Sequence, residues 1–469
     1  MKDSSTSRVP AWLLLALLAL VVLGLGGSSR PDAIQNVALR PLVALFLVPA
    51  IYYLRIEAVR EARMLVGLLA LLLLWMALQL VPLPPSVWQA LPGRASVAEL
   101  DGLTGLDGAW RPISLAPDRG WNAWVSLVVP MTALLLAIAL RAKTTLLLAM
   151  VAGMGVVNAL MGLIQVTGLG NEAFYFYRHT TIGMPAGLFA NENHAAALSA
   201  IALLAIARLH SGPHDMPLPM WFRALLAPSF IVVVLTVLVG GSRAGIALTG
   251  LAILLALVIV WVGSNQRRAA SGRARRQPWI ARHPRLLLAG FALGMLGLVF
   301  LFLGLERAMG LEGLLEANAF EDLRWELSPI LLRMAAEHWL FGIGFGGFEE
   351  VYHVYEPDAL LMPQYVNQAH NDWAQLVIEG GLPGVALLLA LLGWMGRVLW
   401  RIRTSGRLAF SELAFWCGTI LIMAVSSVVD YPLRTPLFQL AAVWLLVAFT
   451  TESRRSGEAD VRPADRGAG

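Results

Sequence analysis

The chain of 469 residues is 58% hydrophobic and 14% charged, with a mean hydropathy of +0.69. These values exclude a soluble globular domain, and apolar runs of about 18 to 22 residues, each long enough to cross a hydrocarbon core, recur along the chain. The net charge of +5 would suit nucleic acid, but the arginines cluster in connectors beside apolar runs, as in cytoplasmic loops. We therefore expect a polytopic membrane protein without a nucleic-acid partner.

The apolar runs predict an all-α, polytopic membrane helix bundle of about twelve transmembrane helices. Lys2 and Arg8 precede the first run, which resembles a signal sequence, but the many runs that follow favour an uncleaved span. With the N terminus in the cytoplasm, the arginine-rich connectors all fall inside, so both termini are expected to be cytoplasmic. The predicted spans are 11–27, 37–54, 64–82, 122–141, 145–168, 187–207, 221–240, 244–262, 286–305, 373–396, 409–427 and 435–451.

Residues 1–452 are expected to form one transmembrane domain, and residues 453–469 a disordered cytoplasmic tail. Two outer connectors are long. Residues 83–121 carry prolines and several tryptophans, which indicates a periplasmic loop that covers the interface. Residues 306–372 form the long periplasmic loop.

Within the long loop, apolar residues recur at spacings of three and four between Phe320 and Trp339. This pattern predicts an amphipathic helix lying against the membrane surface. The glycines between residues 341 and 348 predict a turn that ends it.

Polar residues gather where the tenth predicted span begins, at His370, Asn371 and Asp372. Burying titratable groups at a membrane boundary costs several kcal/mol. Asn371 or Asp372 is expected to cap the span, and Asn371 is also a candidate binding residue. Neutral His370 could accept a proton from a hydroxyl as a general base. Glu379, further along the helix, is expected to be a buried partner or a helix-contact residue.

Asn191, Glu192, Asn193 and His194 open the sixth predicted span. Capping by Asn191 or Asn193 explains one of these residues. The others are costly unless they face protein or a water-filled cavity. Because asparagine side chains suit sugar hydroxyls, we predict a glycan-facing mouth that includes Asn191, Asn193 and His194.

Three arginines lie on the outer side, where the rule for cytoplasmic arginines does not explain them. Arg243 either snorkels to the interface or clamps an anion, because guanidinium offers paired donors that suit phosphate. Arg324, on the amphipathic helix, either forms a surface salt bridge or binds the same anion. Arg434 is expected to pair with Asp430 and is a further candidate for substrate binding.

The sequence contains no Walker loop, no HExxH motif and no Asp-x-Asp pair. We therefore expect no metal site and no cofactor, so that arginine would have to meet any phosphate charge. The single cysteine, Cys417, lies within a predicted span, which excludes an intrachain disulfide.

Four segments together resemble the O-antigen ligase/polymerase superfamily, and the resemblance covers roughly residues 145–450. They are Gly-Leu-Phe-Ala-Asn-Glu-Asn-His (187–194), Gly-Ser-Arg (241–243), Arg-Trp (324–325) before the glycine-rich stretch 341–348, and His-Asn-Asp-Trp-Ala-Gln-Leu-Val-Ile-Glu-Gly-Gly-Leu-Pro-Gly (370–384). The sequence departs from the family at Glu192, where a basic or neutral residue is more usual.

The resemblance implies a lipid-dependent glycosyltransferase in the bacterial inner membrane, with its active site on the periplasmic side. Such enzymes move a glycan from an undecaprenyl-pyrophosphate carrier to an acceptor, in contact with membrane lipids. By position, His370 would be the catalytic base, and Arg243 and Arg324 would hold the pyrophosphate.

We predict metal-independent, inverting transfer to lipid A-core, as in an O-antigen ligase. An O-antigen or exopolysaccharide polymerase, which extends a glycan acceptor, has the same donor chemistry, and protein glycosylation ranks third. The alternative from another class is a lipid-linked oligosaccharide flippase or transporter. Such a protein should show related halves and broken helices with polar groups deep inside.

Overall fold

The computed structural model of the protein describes residues 10–167, 172–240, 243–271, 318–361, 366–404 and 410–458. Over these residues the chain is helical and holds no named strand, although Leu83 and Arg111 form an isolated antiparallel bridge. The predicted all-α membrane bundle is therefore confirmed.

The α-helices follow one another along the chain with short connectors. They are α1 (Ala11–Leu25), α2 (Asn36–Leu45), α3 (Leu47–Tyr53), α4 (Ile56–Glu61), α5 (Arg63–Leu78), α6 (Pro85–Trp88), α7 (Ala95–Thr104), α8 (Pro117–Ser126), α9 (Val128–Ala139), α10 (Thr144–Val166), α11 (Glu192–Ser211), α12 (Met220–Val239), α13 (Arg243–Ser271), α14 (Asn318–His338), α15 (Phe348–Tyr355), α16 (Asp372–Thr404), α17 (Phe410–Val429) and α18 (Pro436–Glu458). Single turns of 3₁₀ helix lie at Glu172–Phe174, Asp358–Leu360 and Pro432–Arg434.

Nine segments of the described chain are long and apolar enough to cross a membrane, and α1 and α5 are shorter apolar helices. Together these nine and two coincide with eleven of the predicted spans. The remaining predicted span, 286–305, lies outside the described residues, so the total of twelve stays a prediction. The nine segments are Asn36–Tyr53, Pro117–Ala139, Thr144–Val166, Glu192–Ser211, Met220–Val239, Ala244–Ser264, Asp372–Arg401, Phe410–Val429 and Pro436–Arg454.

Helix α11 is the centre of the bundle, with 94% of its most apolar window buried. Helices α10, α12, α13 and α17 pack around it. Its sequence is rich in alanine, which allows neighbouring backbones to approach closely. At Gly155 of α10, an added Cβ would lie 2.2 Å from the Cβ of Ala202. In a membrane the lipid is as apolar as a large side chain, so helices associate through close van der Waals packing, which small residues allow.

The bundle has two chemically different ends. At the site end, the starts of α11, α16 and α18 meet the turn that follows α17. At the basic end, the residues around α4, the α9–α10 connector and the last turns of α18 come together. The span Pro436–Arg454 of α18 has 19 residues and therefore separates the two ends by about 27 Å.

A second hydrophobic core lies at the site end, outside the main bundle core. Leu327, Leu331 and Met334 of α14 pack there with Tyr352 of α15 and Ile378 of α16. The predicted helix in the long loop is confirmed, and these three residues of its apolar face pack on protein. Its position against the membrane surface stays a prediction.

Helix α16 is broken at Gly381, whose φ of 59° and ψ of −161° are not helical. The span Asp372–Arg401 has 30 residues, more than the roughly 20 that a hydrocarbon core requires. Residues 382–401 are long enough to cross by themselves. The first part of α16, residues 372–380, can therefore lie at the membrane boundary beside the long loop.

The C-terminal boundary differs from the prediction. Helix α18 continues to Glu458, so the first residues of the predicted tail are helical. Residues 459–469 lie outside the described residues.

Candidate functional site

Asp430 is the centre of a polar cluster at the site end, although its side chain is only 2% exposed. It lies in the turn between α17 and α18. Its Oδ2 accepts hydrogen bonds from Nδ2 of Asn191, at 3.1 Å, and from Nδ2 of Asn193, at 2.8 Å. The start of α11 is thereby tied to the last turn of the bundle.

Two histidines face the other oxygen of the same carboxylate. Nδ1 of His370 lies 3.4 Å from Asp430 Oδ1, and Nε2 of His194 lies 3.7 Å from it. Oδ1 also accepts the backbone N–H of Tyr431 at 3.0 Å. Nδ1 of His194 lies 2.9 Å from the Thr435 hydroxyl. Both oxygens of Asp430 are therefore surrounded by donors.

These contacts fix the charge of Asp430. Burial by itself raises the pKa of its carboxyl group, but attraction to His194 and hydrogen bonding and attraction to His370 together lower that pKa well below 3.8. The ring of Tyr431 lies edge-on to both imidazoles, with centroids 4.9 Å away in each case. Burial, followed by the charge of Asp430, raises the pKa of Tyr431. The cluster thus combines a carboxylate anion with a neutral phenol.

His370 has an unusual backbone, because its φ of 48° lies in the left-handed region. For a non-glycine residue this conformation costs about 1–2 kcal/mol. It persists where the surroundings impose it, and here the next residue caps α16. Oδ1 of Asn371 accepts the backbone N–H groups of Trp373 and Ala374, both at 3.0 Å. The prediction that Asn371 or Asp372 caps this helix is confirmed for Asn371.

The arrangement suits a general base. If the Nδ1–H of His370 points at the Asp430 carboxylate, its Nε2 carries the free lone pair and can accept a proton. The His370 side chain is 28% exposed, whereas that of His194 is buried. The 3.4 Å separation is longer than a strong hydrogen bond, as is common before substrate binds and tightens such contacts.

Asn191, Asn193 and His194 were predicted to face a glycan, and the structure turns all three toward Asp430. Asn191 is also the N-cap of α11, since its Oδ1 accepts the backbone N–H of Asn193 at 2.8 Å. The capping prediction is thus confirmed for Asn191. Their direct role toward a sugar stays a prediction.

Arg434 does not pair with Asp430, so that prediction is wrong. Its Nη1 lies 2.8 Å from Oε2 of Glu379, and its Nε lies 3.6 Å from Oδ1 of Asp372. The reason is tertiary: Asp430 is turned toward α11, while α16 presents two carboxylates to the guanidinium. Glu379 is fully buried and pairs with Arg434. Of the two alternatives that the sequence left open for Glu379, the buried partner is therefore the one observed.

A polar residue that the sequence reasoning missed, Gln79, holds the glycine-rich turn against α16. Its Nε2 donates to the carbonyls of Phe341 and Glu379, both at 2.9 Å. Its Oε1 accepts the backbone N–H of Phe345 at 3.2 Å. The only signal for it in the sequence is an isolated amide at the end of an apolar span.

The helix break at Gly381 leaves backbone carbonyls of α16 without helical partners, and the glycine-rich turn supplies partners. The N–H of Ile343 donates to Ile378 O at 2.9 Å, and that of Gly344 donates to Glu379 O at 3.2 Å. Gly344 has a φ of 92°, and a Cβ there would lie 2.4 Å from Ser114 Oγ. The turn therefore needs glycine both for its backbone and for space.

For two predicted site residues the structure describes only the helix in which each lies. Arg243 is the first residue of α13, and Arg324 lies within α14, but their side chains lie outside the described residues. Their convergence with His370 stays a prediction. Within the described part of the chain, no three His, Cys, Asp or Glu side chains are arranged to hold a metal ion.

The fold and the site together define a multi-pass helical membrane protein with a buried aspartate and a partly exposed histidine at one end of its bundle. The O-antigen ligase family model matches residues 228–389, about a third of the chain, from the middle of α12 into α16. This match confirms the resemblance to the O-antigen ligase/polymerase superfamily. The class of activity that it supports is lipid-linked glycan transfer in a bacterial membrane. A comparison with curated proteins finds none that matches this chain.

The matched segment contains His370 and the sequence positions of Arg243 and Arg324, but it ends before Asp430. The carboxylate that contacts the candidate base and its two asparagine partners, Asn191 and Asn193, all lie outside the match.

Proposed function

We propose that the protein transfers a glycan from an undecaprenyl-pyrophosphate carrier to an acceptor hydroxyl, in the manner of an O-antigen ligase. The observation that carries the proposal is the pairing of His370 with buried, ionised Asp430. His370 lies within the segment that matches the O-antigen ligase family model, and Asp430 lies beyond its end. A carboxylate behind an imidazole is the arrangement that prepares a general base.

In the proposed reaction, Nε2 of His370 removes the proton of the acceptor hydroxyl as its oxygen attacks the anomeric carbon. A new bond forms between that carbon and the acceptor oxygen. The bond to the carrier phosphate breaks, and its electron pair leaves with undecaprenyl pyrophosphate. One displacement inverts the anomeric centre.

Negative charge grows on the pyrophosphate as it leaves, and arginine is the residue type that meets it. The family resemblance gives this role to Arg243 and Arg324. Arg434, which was predicted to bind substrate, is already paired with Glu379 and Asp372. We therefore propose that Arg434 mainly holds the turn that carries Asp430.

Helix α16 is broken and contains buried polar groups, which are features that a transporter would also show. In a transporter, such a break is expected near the middle of the membrane. Here the break follows the first nine residues of α16, and 382–401 still suffice to cross. The polar groups of the site also gather at one end of the bundle, which favours an enzyme at the membrane surface.

The test uses purified protein in detergent with an undecaprenyl-pyrophosphate oligosaccharide. Wild type and His370→Ala are each offered lipid A-core and, separately, a second carrier-linked glycan. We expect transfer by wild type and a loss of about 10²–10⁴-fold in the variant. Consumption of lipid A-core supports a ligase, and extension of the second glycan supports a polymerase.

His353→Ala is a suitable control, since this histidine is partly exposed on α15 and pairs locally with Glu356 at 3.3 Å. It should retain wild-type activity. Full activity of His370→Ala would refute the assignment of the base. Absence of carrier pyrophosphate release by folded wild type with either acceptor would refute the proposed reaction.

A further inference from the structure

A cavity at the basic end, far from the site, is built from charged and apolar residues. Its volume is about 270 Å³, and Glu61, Arg141 and Arg454 line it together with aliphatic residues of α9 and α18. This volume is slightly below the roughly 300–1,000 Å³ of pockets that enclose whole organic ligands. It suits a compact polar group whose remainder stays outside.

Two guanidinium groups share one carboxylate in this cavity. Nη1 of Arg454 lies 2.5 Å from Glu61 Oε2, whereas Nη2 of Arg141 lies 3.8 Å from Glu61 Oε1. The three side chains carry one excess positive charge. Because its contact with Glu61 is long and its side chain is 57% exposed, Arg141 can turn toward another anion.

The backbone at Arg141 is a second, independent sign of a built site. Its φ of 48° is left-handed, and it follows the C-cap residue Leu140 of α9, a position where helices often place glycine. The turn is closed by Ala142 N–H, which donates to Ala137 O at 2.9 Å. The surrounding structure imposes this strained conformation on a non-glycine residue, which motivates a functional hypothesis for Arg141.

The other polar groups in the cavity do not compete for an anion. The hydroxyls of Thr450 and Thr451 donate to carbonyls of their own helix, Leu446 O at 2.8 Å and Val447 O at 2.9 Å. The donors that the cavity offers are therefore those of the arginines, which suit phosphate oxygens.

The surroundings favour a lipid as the source of the phosphate. Helix α3, which packs on α9, exposes Ile51 and Tyr52 to 66% and 79%, as expected for a surface that faces acyl chains. Basic pockets between helices at the cytoplasmic membrane surface bind anionic headgroups. The arginine pattern predicts that the basic end is cytoplasmic.

We propose that this cavity binds the phosphate headgroup of an anionic phospholipid through Arg141 and Arg454. Glu61 holds the two guanidinium groups in place when the headgroup is absent and competes with it when it binds. The site is separate from the glycan-transfer site and does not depend on the proposed function.

The test measures lipid binding to the full-length, detergent-purified protein by native mass spectrometry, with phosphatidylglycerol, phosphatidylethanolamine and inorganic phosphate as separate probes. Wild type should retain phosphatidylglycerol in preference to phosphatidylethanolamine. The double variant Arg141→Gln/Arg454→Gln should bind phosphatidylglycerol at least about tenfold more weakly. Arg60→Gln, on α4 but outside the lining, is the matched control and should bind as wild type does.

Glu61→Gln gives the sharper outcome, because it removes the competing anion and should strengthen phosphatidylglycerol binding several-fold. If the carboxylate instead only holds the fold together, binding and thermal stability will both fall, and the proposal is overturned. It is also overturned if the double variant binds as well as Arg60→Gln. If inorganic phosphate binds as tightly as phosphatidylglycerol, the proposal that the phosphate group belongs to a lipid is overturned.

Discussion

The substitution Asp430→Asn tests the centre of the site while it leaves its shape almost unchanged. In the wild type, Oδ2 of Asp430 accepts the amides of Asn191 and Asn193, and Oδ1 accepts Tyr431 N–H and faces the imidazoles of His370 and His194. An amide NH₂ in either position would point at donors. No rotation of the introduced side chain avoids this conflict.

The size of the effect follows from these contacts. Hydrogen bonds to a charged acceptor contribute about 1.5–3 kcal/mol each, and breaking a buried charged pair costs about 3–5 kcal/mol. We expect a loss of about 3–5 kcal/mol in the free energy of unfolding, because Asp430 is almost fully buried. The glycan-transfer rate per folded molecule should fall about 10²–10⁴-fold, since His370 loses the group that orients it.

The assay compares initial rates of transfer after normalisation to the folded fraction, which is measured by thermal unfolding in detergent. Ser427→Ala is the control, because its hydroxyl, near the end of α17, donates to Asp372 Oδ2 at 3.0 Å and not to the Asp430 carboxylate. It should lower stability by about 1 kcal/mol with little change in rate. A folded Asp430→Asn protein with a rate within tenfold of wild type would refute the pairing of His370 with Asp430.

Three further predictions concern the framework of the site. Gly155→Ala should destabilise the protein by about 1–3 kcal/mol, because an added Cβ would meet α11 at 2.2 Å. Gly153→Ala on the same helix is the control, because a Cβ there meets open space. Equal melting temperatures of the two variants would contradict this prediction. Arg434→Gln should cost about 3–5 kcal/mol by leaving Glu379 charged without its partner, and adding Glu379→Gln should restore part of that stability. Burial lowers the pKa of His338 from 6.5 to about 4. Between these two pH values the unfolded chain binds more protons than the folded protein, so the free energy of unfolding of the wild type should decrease as pH falls from about 6.5 to about 4. This decrease should be smaller in His338→Gln, and identical pH profiles of unfolding would contradict the assignment.

The sequence predicted the helices well because membrane spans obey a local rule. A backbone in lipid must satisfy its own hydrogen bonds, so length and hydropathy suffice to locate a helix. Eleven of the predicted spans coincide with apolar helices for this reason. The caps at Asn191 and Asn371 were also within reach, because capping depends on neighbouring residues.

The sequence could not locate the partner of the candidate base. Asp430 is 60 positions after His370 in the chain, and local spacing suggested a pair with Arg434 instead. Only packing decides that Asp430 turns toward α11 and that Glu379 and Asp372 take the arginine. The same limit applies to Gln79 at the end of α5, whose three hydrogen bonds reach the glycine-rich turn and α16, more than 250 residues later.

What the sequence by itself determined is the class of fold, the position of its apolar spans and the polar residues that open two of them. The tertiary structure alone decided which carboxylate pairs with which arginine or histidine, where α16 breaks and which face of α14 packs on protein. The reason is physical: hydrophobicity and capping are properties of a short stretch of chain. Ion pairs and buried hydrogen bonds form between whichever groups the packed helices bring within about 3–4 Å.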